Sequence, residues 1–445
     1  MDFLHPLADA YRFAHTPDAA STFAEQEDFK AILLAGGAHF EVQAVGDVHT
    51  TGPSFPLYTA SIGSTDKRAP VIGFFGGIHG LERIGTQLIL AYMRALLFRL
   101  NWDELLHRQL QQVRLLFMPI VNPGGMWAHK RANPQGLDLM RNAPQRAESR
   151  VPFLAGGQTL SPLLPWYCGR PGAPMETESA ALLQVVREQL ASHPFSLALD
   201  CHSGYGFADS IWFPYAKTRR LMAHLPEMFA LKTMLEQSMP HHDYSFEPQS
   251  NQYLLHGDLW DHAYEQTPTG HVFLPMTLEL GSWLWIRKNP RQLFSRHGIF
   301  NPIKAHRIKR VLRRHADLLD FLTRARLAAR RRAAQPAPET RNCPLAAPTR
   351  AMSWVLLRGL TREARHWGAF PGQLSTALDA APAVLLDLPG NEWRLSPPAV
   401  CALGVQHGGV CARPVARAGL ATALERAGHV AGRHGGHRLG TALPA

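Results

Sequence analysis

Apolar residues fall in short blocks that alternate with helical patterns. Residues 69–76 (APVIGFFG) are continuously apolar and predict a buried strand. Residues 84–100 (IGTQLILAYMRALLFRL) repeat at helical spacing with a wide apolar face. Residues 113–121 (VRLLFMPIV) predict the next strand, closed by NPGG. A helical pattern over 176–191 follows, then strands at 195–200 (FSLALD) and 271–280 (HVFLPMTLEL). Strands alternating with helices predict an α/β fold, a central sheet with helices on both faces. Such sheets bind ligands beyond the carboxyl ends of their strands.

A long basic helix is expected over about 303–332. The stretch after it, AAQPAPETRNCPLAAP, is rich in Pro and Ala and poor in bulky residues, so a boundary is expected near residue 335. The domains expected are therefore 1–335, a linker at 336–350 and a small appendage over 351–445. Beyond about 398 the chain is Ala, Gly, Arg, His and Val without clear periodicity, and disorder is expected there.

Composition narrows the class. The 445 residues are 46% hydrophobic, enough for a large core. No run of about 18 apolar residues predicts a membrane span, and no membrane partner is expected. The amino terminus, MDFLHPLADAYRF, has no basic region followed by an apolar run, so no secretory signal and a cytoplasmic location are expected. Five cysteines without a Cys-x-x-Cys pair fit a reduced compartment. The net charge of +11 concentrates in 287–332, which holds fifteen Lys and Arg. A solvated helix face accounts for that run better than nucleic-acid binding does. The oligomeric state is not legible.

Three segments carry candidate chemistry. Gly-Gly-Ile-His-Gly-Leu-Glu (76–82) follows the first strand and opens the helix, so His79 and Glu82 can turn toward one point. An imidazole and a carboxylate suit zinc, although such a pair alone is also a common structural feature. Leu-Asp-Cys-His-Ser-Gly (199–204) puts His202 just past a strand, with Asp200 placed to orient it. A turn histidine is the plain alternative. Thr-Leu-Glu-Leu-Gly (277–281) sets Glu279 among apolar neighbours, which is costly unless the carboxylate is paired or used.

In this order the segments resemble the zinc carboxypeptidase family over roughly residues 50–320. The stretch 121–142 (VNPGGMWAHKRANPQGLDLMRN) strengthens the resemblance. Asn122-Pro123-Gly124-Gly125 and Gly136-Leu137-Asp138-Leu139 match two family motifs, with Gly124 where the family has Asp. The resemblance implies a mixed eight-stranded sheet and one zinc per chain, held by His79, Glu82 and His202. It implies Glu279 as the proton-transferring carboxylate and Arg131 as the stabiliser of the oxyanion. It places Arg141, with Asn142 beside it, at the substrate's terminal carboxylate, where a planar guanidinium pairs bidentately. Tyr253 resembles the tyrosine that closes over substrate, with one residue fewer before the next Gly. Leu259 falls near the position that sets side-chain preference, which implies neutral side chains. Met140 departs from the family's Asn and weakens the carboxylate site.

The function expected is metallocarboxypeptidase activity on a peptide or peptide-like substrate. The alternative is a related zinc amidase or deacylase acting on cell-wall peptides or N-acyl amino acids. Residues 353–397 resemble the opening of an α/β-hydrolase domain, but Arg358-Gly359 stands where His-Gly is usual and no Gly-x-Ser-x-Gly follows. A fragment without its own chemistry is expected there, with an ordinary β-α-β appendage as the plain alternative.

Overall fold

The computed structural model describes residues 23–334, with side-chain surroundings to 325, and four short strands beyond them. The chain divides into two units, Met1–Glu339 and Thr340–Ala445. The first is built on an eight-stranded sheet. Its strands are β1 (Glu41–His49), β2 (Ser54–Gly63), β3 (Val71–Gly76), β4 (Arg114–Met118), β5 (Phe195–Ser203), β6 (Ser210–Phe213), β7 (Ser245–Pro248) and β8 (Val272–Leu280). Their order across the sheet is β1-β2-β4-β3-β5-β8-β6-β7. The four central strands, β4, β3, β5 and β8, are parallel. Antiparallel pairs flank them at β2/β4 and at β6/β8, so the sheet is mixed.

All six residues of β3, and all of β5 after Phe195, are buried. Burial of every successive side chain requires cover on both faces. Helix α1 (Arg83–Arg99) supplies part of it, packing Leu88, Ile89, Met93 and Leu96 into the core beside Phe74 and Phe117. Gly85 lets its first turn approach β5, because a Cβ there would meet the Cys201 carbonyl oxygen at 2.2 Å. The long helix α2 (Ala305–Ala334) buries Val311, Leu318, Leu319 and Leu322 in the same core.

The central strands and both helices are the ones the hydrophobic pattern predicts. The flanking strands are not. β1 is mostly exposed, β6 and β7 span four residues each, and β2 contains Pro56. None of these is a continuous apolar block. The helical pattern at 176–191 is an α-helix to Val185 that widens into one π turn over Val186–Leu190.

In the second unit, residues 355–357 pair in parallel with 384–386, and 401–406 pair with 409–414 as an antiparallel ribbon. The expected linker at 336–350 and the rest of the hydrolase-like segment lie outside the described residues.

Candidate active site

Strand register brings the site together. Gly76 at the end of β3 pairs with Cys201 on β5, and the next β5 residue, His202, pairs with Glu279 on β8. His202 thus lies within its strand, which runs to Ser203, rather than past its end. The chain leaving β3 turns through His79 and Glu82 before α1 begins, so these two side chains reach the same strand ends. Gly80 sits in that turn, where a Cβ would lie 2.2 Å from the Gly125 backbone.

His79, Glu82 and His202 are 3–4% exposed. One donor atom from each lies within 4.8 Å of the other two. His79 Nδ1 is 2.9 Å from Glu82 Oε1, His202 Nδ1 is 3.0 Å from Glu82 Oε2, and the two Nδ1 atoms are 3.2 Å apart. Donors held about 2.0–2.1 Å from a tetrahedral zinc would stand about 3.3 Å from one another. Each imidazole is oriented from its far nitrogen. His79 Nε2 lies 2.9 Å from Asp138 Oδ1, and His202 Nε2 lies 2.6 Å from Asp200 Oδ2. Trp260 Nε1 donates to the same Asp200 oxygen at 2.9 Å. A carboxylate behind each ring fixes its tautomer and turns Nδ1 toward the shared centre. The donor set therefore fits zinc.

Charge balance inside this buried cluster is tight. Burial pushes the Glu82 carboxyl up, but the adjacent His79 and His202 outweigh it and hold it well below the carboxylate range. Asp138 behaves alike: burial raises it, and Arg131, Arg141 and His79 together pull it far down. Burial alone would lower His202, yet Asp200 and Glu82 raise it well above the usual imidazole range. Glu279 differs. Burial and the negative charge of Glu82 both push its carboxyl up. Its Oε1 accepts the Tyr205 N–H at 2.9 Å.

Arg131 sits against this cluster, pairing with Asp138, with Nη2 3.2 Å from His79 Nδ1 and Nε 3.6 Å from Glu82. Arg141 is 5% exposed and pairs with Asp138 at 3.1 Å, while its Nε and Nη2 donate to the Ala155 carbonyl. One cavity is lined by His79, Arg131, Met140, Arg141, His202, Tyr253 and Glu279, together with Trp212, Leu255, Asp258 and Asp261.

Two expected substrate residues do not face it. Leu259 is completely buried in the first turn of the helix Leu259–Glu265, and its neighbour Asp258 lines the cavity instead. The one-position offset arises because Asp258 is the N-cap of that helix, with its carboxylate accepting the Asp261 N–H at 2.8 Å. Asn142 lines a separate cavity, and both ends of its amide are committed to backbone: Nδ2 donates to the Cys168 carbonyl and Oδ1 accepts the Glu176 N–H. Asp138 was the group without an assigned role; its place inside the Gly-Leu-Asp-Leu motif was the available signal.

A family model described as zinc carboxypeptidase matches residues 41–282, more than half of the chain. The chain belongs to the zinc carboxypeptidase family. That places it among zinc-using peptidase hydrolases. Within the family it is similar to carboxypeptidase SOL1 of Arabidopsis thaliana, 30% identical over 95 residues, which are 21% of this chain and 19% of that protein. The match thus spans about a fifth of that relative's length. Among solved structures, it is similar to thrombin activatable fibrinolysis inhibitor at 20% identity and a TM-score of 0.48, covering 68% of this chain and 81% of that one. It is also similar to carboxypeptidase A from Helicoverpa armigera at 16% identity and a TM-score of 0.46, covering 69% and 80%.

Proposed function

We propose that this member of the zinc carboxypeptidase family hydrolyses the peptide bond next to a free carboxyl terminus. One observation carries the reading: Arg141, Glu279 and two of the candidate zinc ligands line the same cavity. Arg141 has five N–H donors, and the bonds to Asp138 and Ala155 use three. The remaining donors suit a substrate carboxylate. Met140 lines the cavity but has no N–H to add, so Arg141 carries that anchor.

His79, Glu82 and His202 would hold the zinc. When bound, it supplies Lewis acidity toward water and the scissile carbonyl. Glu279 takes the proton from the attacking water and passes it to the leaving amine. The Tyr205 N–H fixes one of its oxygens. Arg131 lends positive charge to the carbonyl oxygen as it becomes an anion, a contribution of about 3 kcal/mol for a preorganised donor. Tyr253, also on the cavity wall, closes the site against water.

The preference for the terminal side chain follows from Asp258. It is 7% exposed, lines the cavity and has no ion-pair partner among the described residues. Asp261 beside it is fully engaged by the Ala216 and Lys217 N–H groups. A buried carboxylate that forms no ion pair favours a basic side chain in the cavity. This reverses the neutral preference that Leu259 implied.

The test is a set of peptides with free or amidated carboxyl termini. Free termini are expected to be cleaved at least about a hundredfold faster, the cost of leaving the remaining N–H donors of the buried Arg141 without an acceptor. Equal rates would remove the carboxypeptidase reading and leave the amidase alternative.

A further inference from the structure

The segment after β8 carries a feature that peptide hydrolysis does not use. Between Glu279 and Asp317 the chain has ten Lys and Arg and no Asp or Glu. Three short helices open this stretch, Trp283–Lys288, Pro290–Phe294 and Arg296–Phe300, and they pack on one another. Gln292 is their internal peg. It is fully buried, and its amide donates to the Gly298 and Asn301 carbonyls at 2.9 and 3.2 Å. With Gln292 pointing inward, the residues around it stand out. Phe294 is 94% exposed and Leu293 is 54% exposed. Arg287, Lys288, Arg291, Arg296 and Lys304 are exposed on the same segment.

We infer that residues 287–304 form a docking surface for an anionic lipid bilayer. Leu293, Phe294 and Ile303 are exposed on the same stretch as these five basic residues, and a surface of mixed apolar tips and basic residues matches the boundary between acyl chains and acidic headgroups. Charge complementarity selects anionic lipid over neutral lipid. The apolar tips select a bilayer over a dissolved polyanion, whose phosphates Phe294 and Leu293 cannot satisfy. The sequence argued against a membrane partner because no span is long and apolar enough; a surface that lies on the bilayer needs none.

The patch adjoins the candidate active site. Asn301 donates to the Leu81 carbonyl at 2.7 Å and accepts the Ile84 N–H at 2.9 Å, bracketing Glu82. Binding there would bring the enzyme to peptides held at a membrane.

The full chain is tested by co-sedimentation with phosphatidylcholine vesicles, with and without phosphatidylglycerol. At least about tenfold stronger binding to the anionic vesicles is expected, lost at high salt. Leu293→Ser with Phe294→Ser is expected to weaken it by about tenfold, and Arg291→Glu with Arg296→Glu to abolish it. Both double variants should hydrolyse a soluble peptide at the parent rate, which shows that they fold. Equal binding to both vesicle types, or none, overturns the inference. So does full vesicle binding by the Leu293/Phe294 variant, or displacement of the protein from vesicles by duplex DNA at equal charge.

Discussion

His202 and Glu279 face each other as register partners on adjacent parallel strands, β5 and β8. One backbone ladder therefore sets the spacing between a candidate metal ligand and the candidate proton carrier. Glu279→Gln keeps the side-chain shape and removes the proton acceptor. Its kcat/KM is expected to fall at least about a hundredfold while about one zinc per chain is retained. Metal analysis and peptide kinetics on the same sample check this, and loss of zinc in the variant would move Glu279 into the ligand set.

Zinc should also contribute to stability. A chelator is expected to lower the melting temperature and abolish activity, with both restored by zinc; a ligand at a hundred times its Kd contributes about 2.7 kcal/mol. Asp138→Asn leaves the three donors in place but removes the charge behind His79. Zinc affinity is expected to weaken by about 10–100-fold. Unchanged affinity in a competition titration would reduce Asp138 to a partner of the two arginines.

Side-chain preference separates Asp258 from Leu259. Asp258→Asn is expected to lower kcat/KM for peptides ending in Lys or Arg by at least about tenfold, with less effect on those ending in Phe. Leu259→Ala is expected to cost about 2–5 kcal/mol of stability and leave the ratio between these substrates unchanged. A shift of preference in the Leu259 variant alone would restore the neutral-pocket expectation.

His315 on α2 is 1% exposed, with Nδ1 2.7 Å from the Tyr244 hydroxyl and Nε2 3.4 Å from Asp209. Burial lowers its pKa from 6.5 to about 4, although Asp209 opposes the shift. The folded state then binds fewer protons than the unfolded chain between these values. The contribution is fully present above the unfolded pKa and is lost as pH falls toward the folded one. It amounts to about 3 kcal/mol. In His315→Gln, denaturant midpoints should depend less steeply on pH over this window, even if the variant is weaker at neutral pH. Parallel curves would exclude His315 as the source.

The amino-acid pattern reveals the centre of the fold and hides its edges. β3, β4, β5 and β8 are apolar blocks because both of their faces are covered. β1 is an edge strand with most residues in water, so its sequence carries little alternation. At the site, His79, Glu82 and His202 were legible because their segments end or follow such blocks. Asn142 and Leu259 were misplaced because one position along a tight turn or a helix cap decides which way a side chain faces. Asn142 closes a 3-10 turn, and Leu259 begins a helix capped by Asp258. Asp138 illustrates the opposite case, a residue inside a readable motif whose role depends on one distant partner: Arg131 and Arg141 lie in the same stretch, but His79 is 59 positions away.

That triple attachment of Asp138 ties two tasks into one electrostatic unit. A single carboxylate steadies the imidazole of His79 and both guanidinium groups. Filling the neighbouring cation site and seating a carboxylated ligand should consequently be cooperative, each altering the other's affinity by an equal factor. A protein that has lost its metal would then also hold its product less tightly.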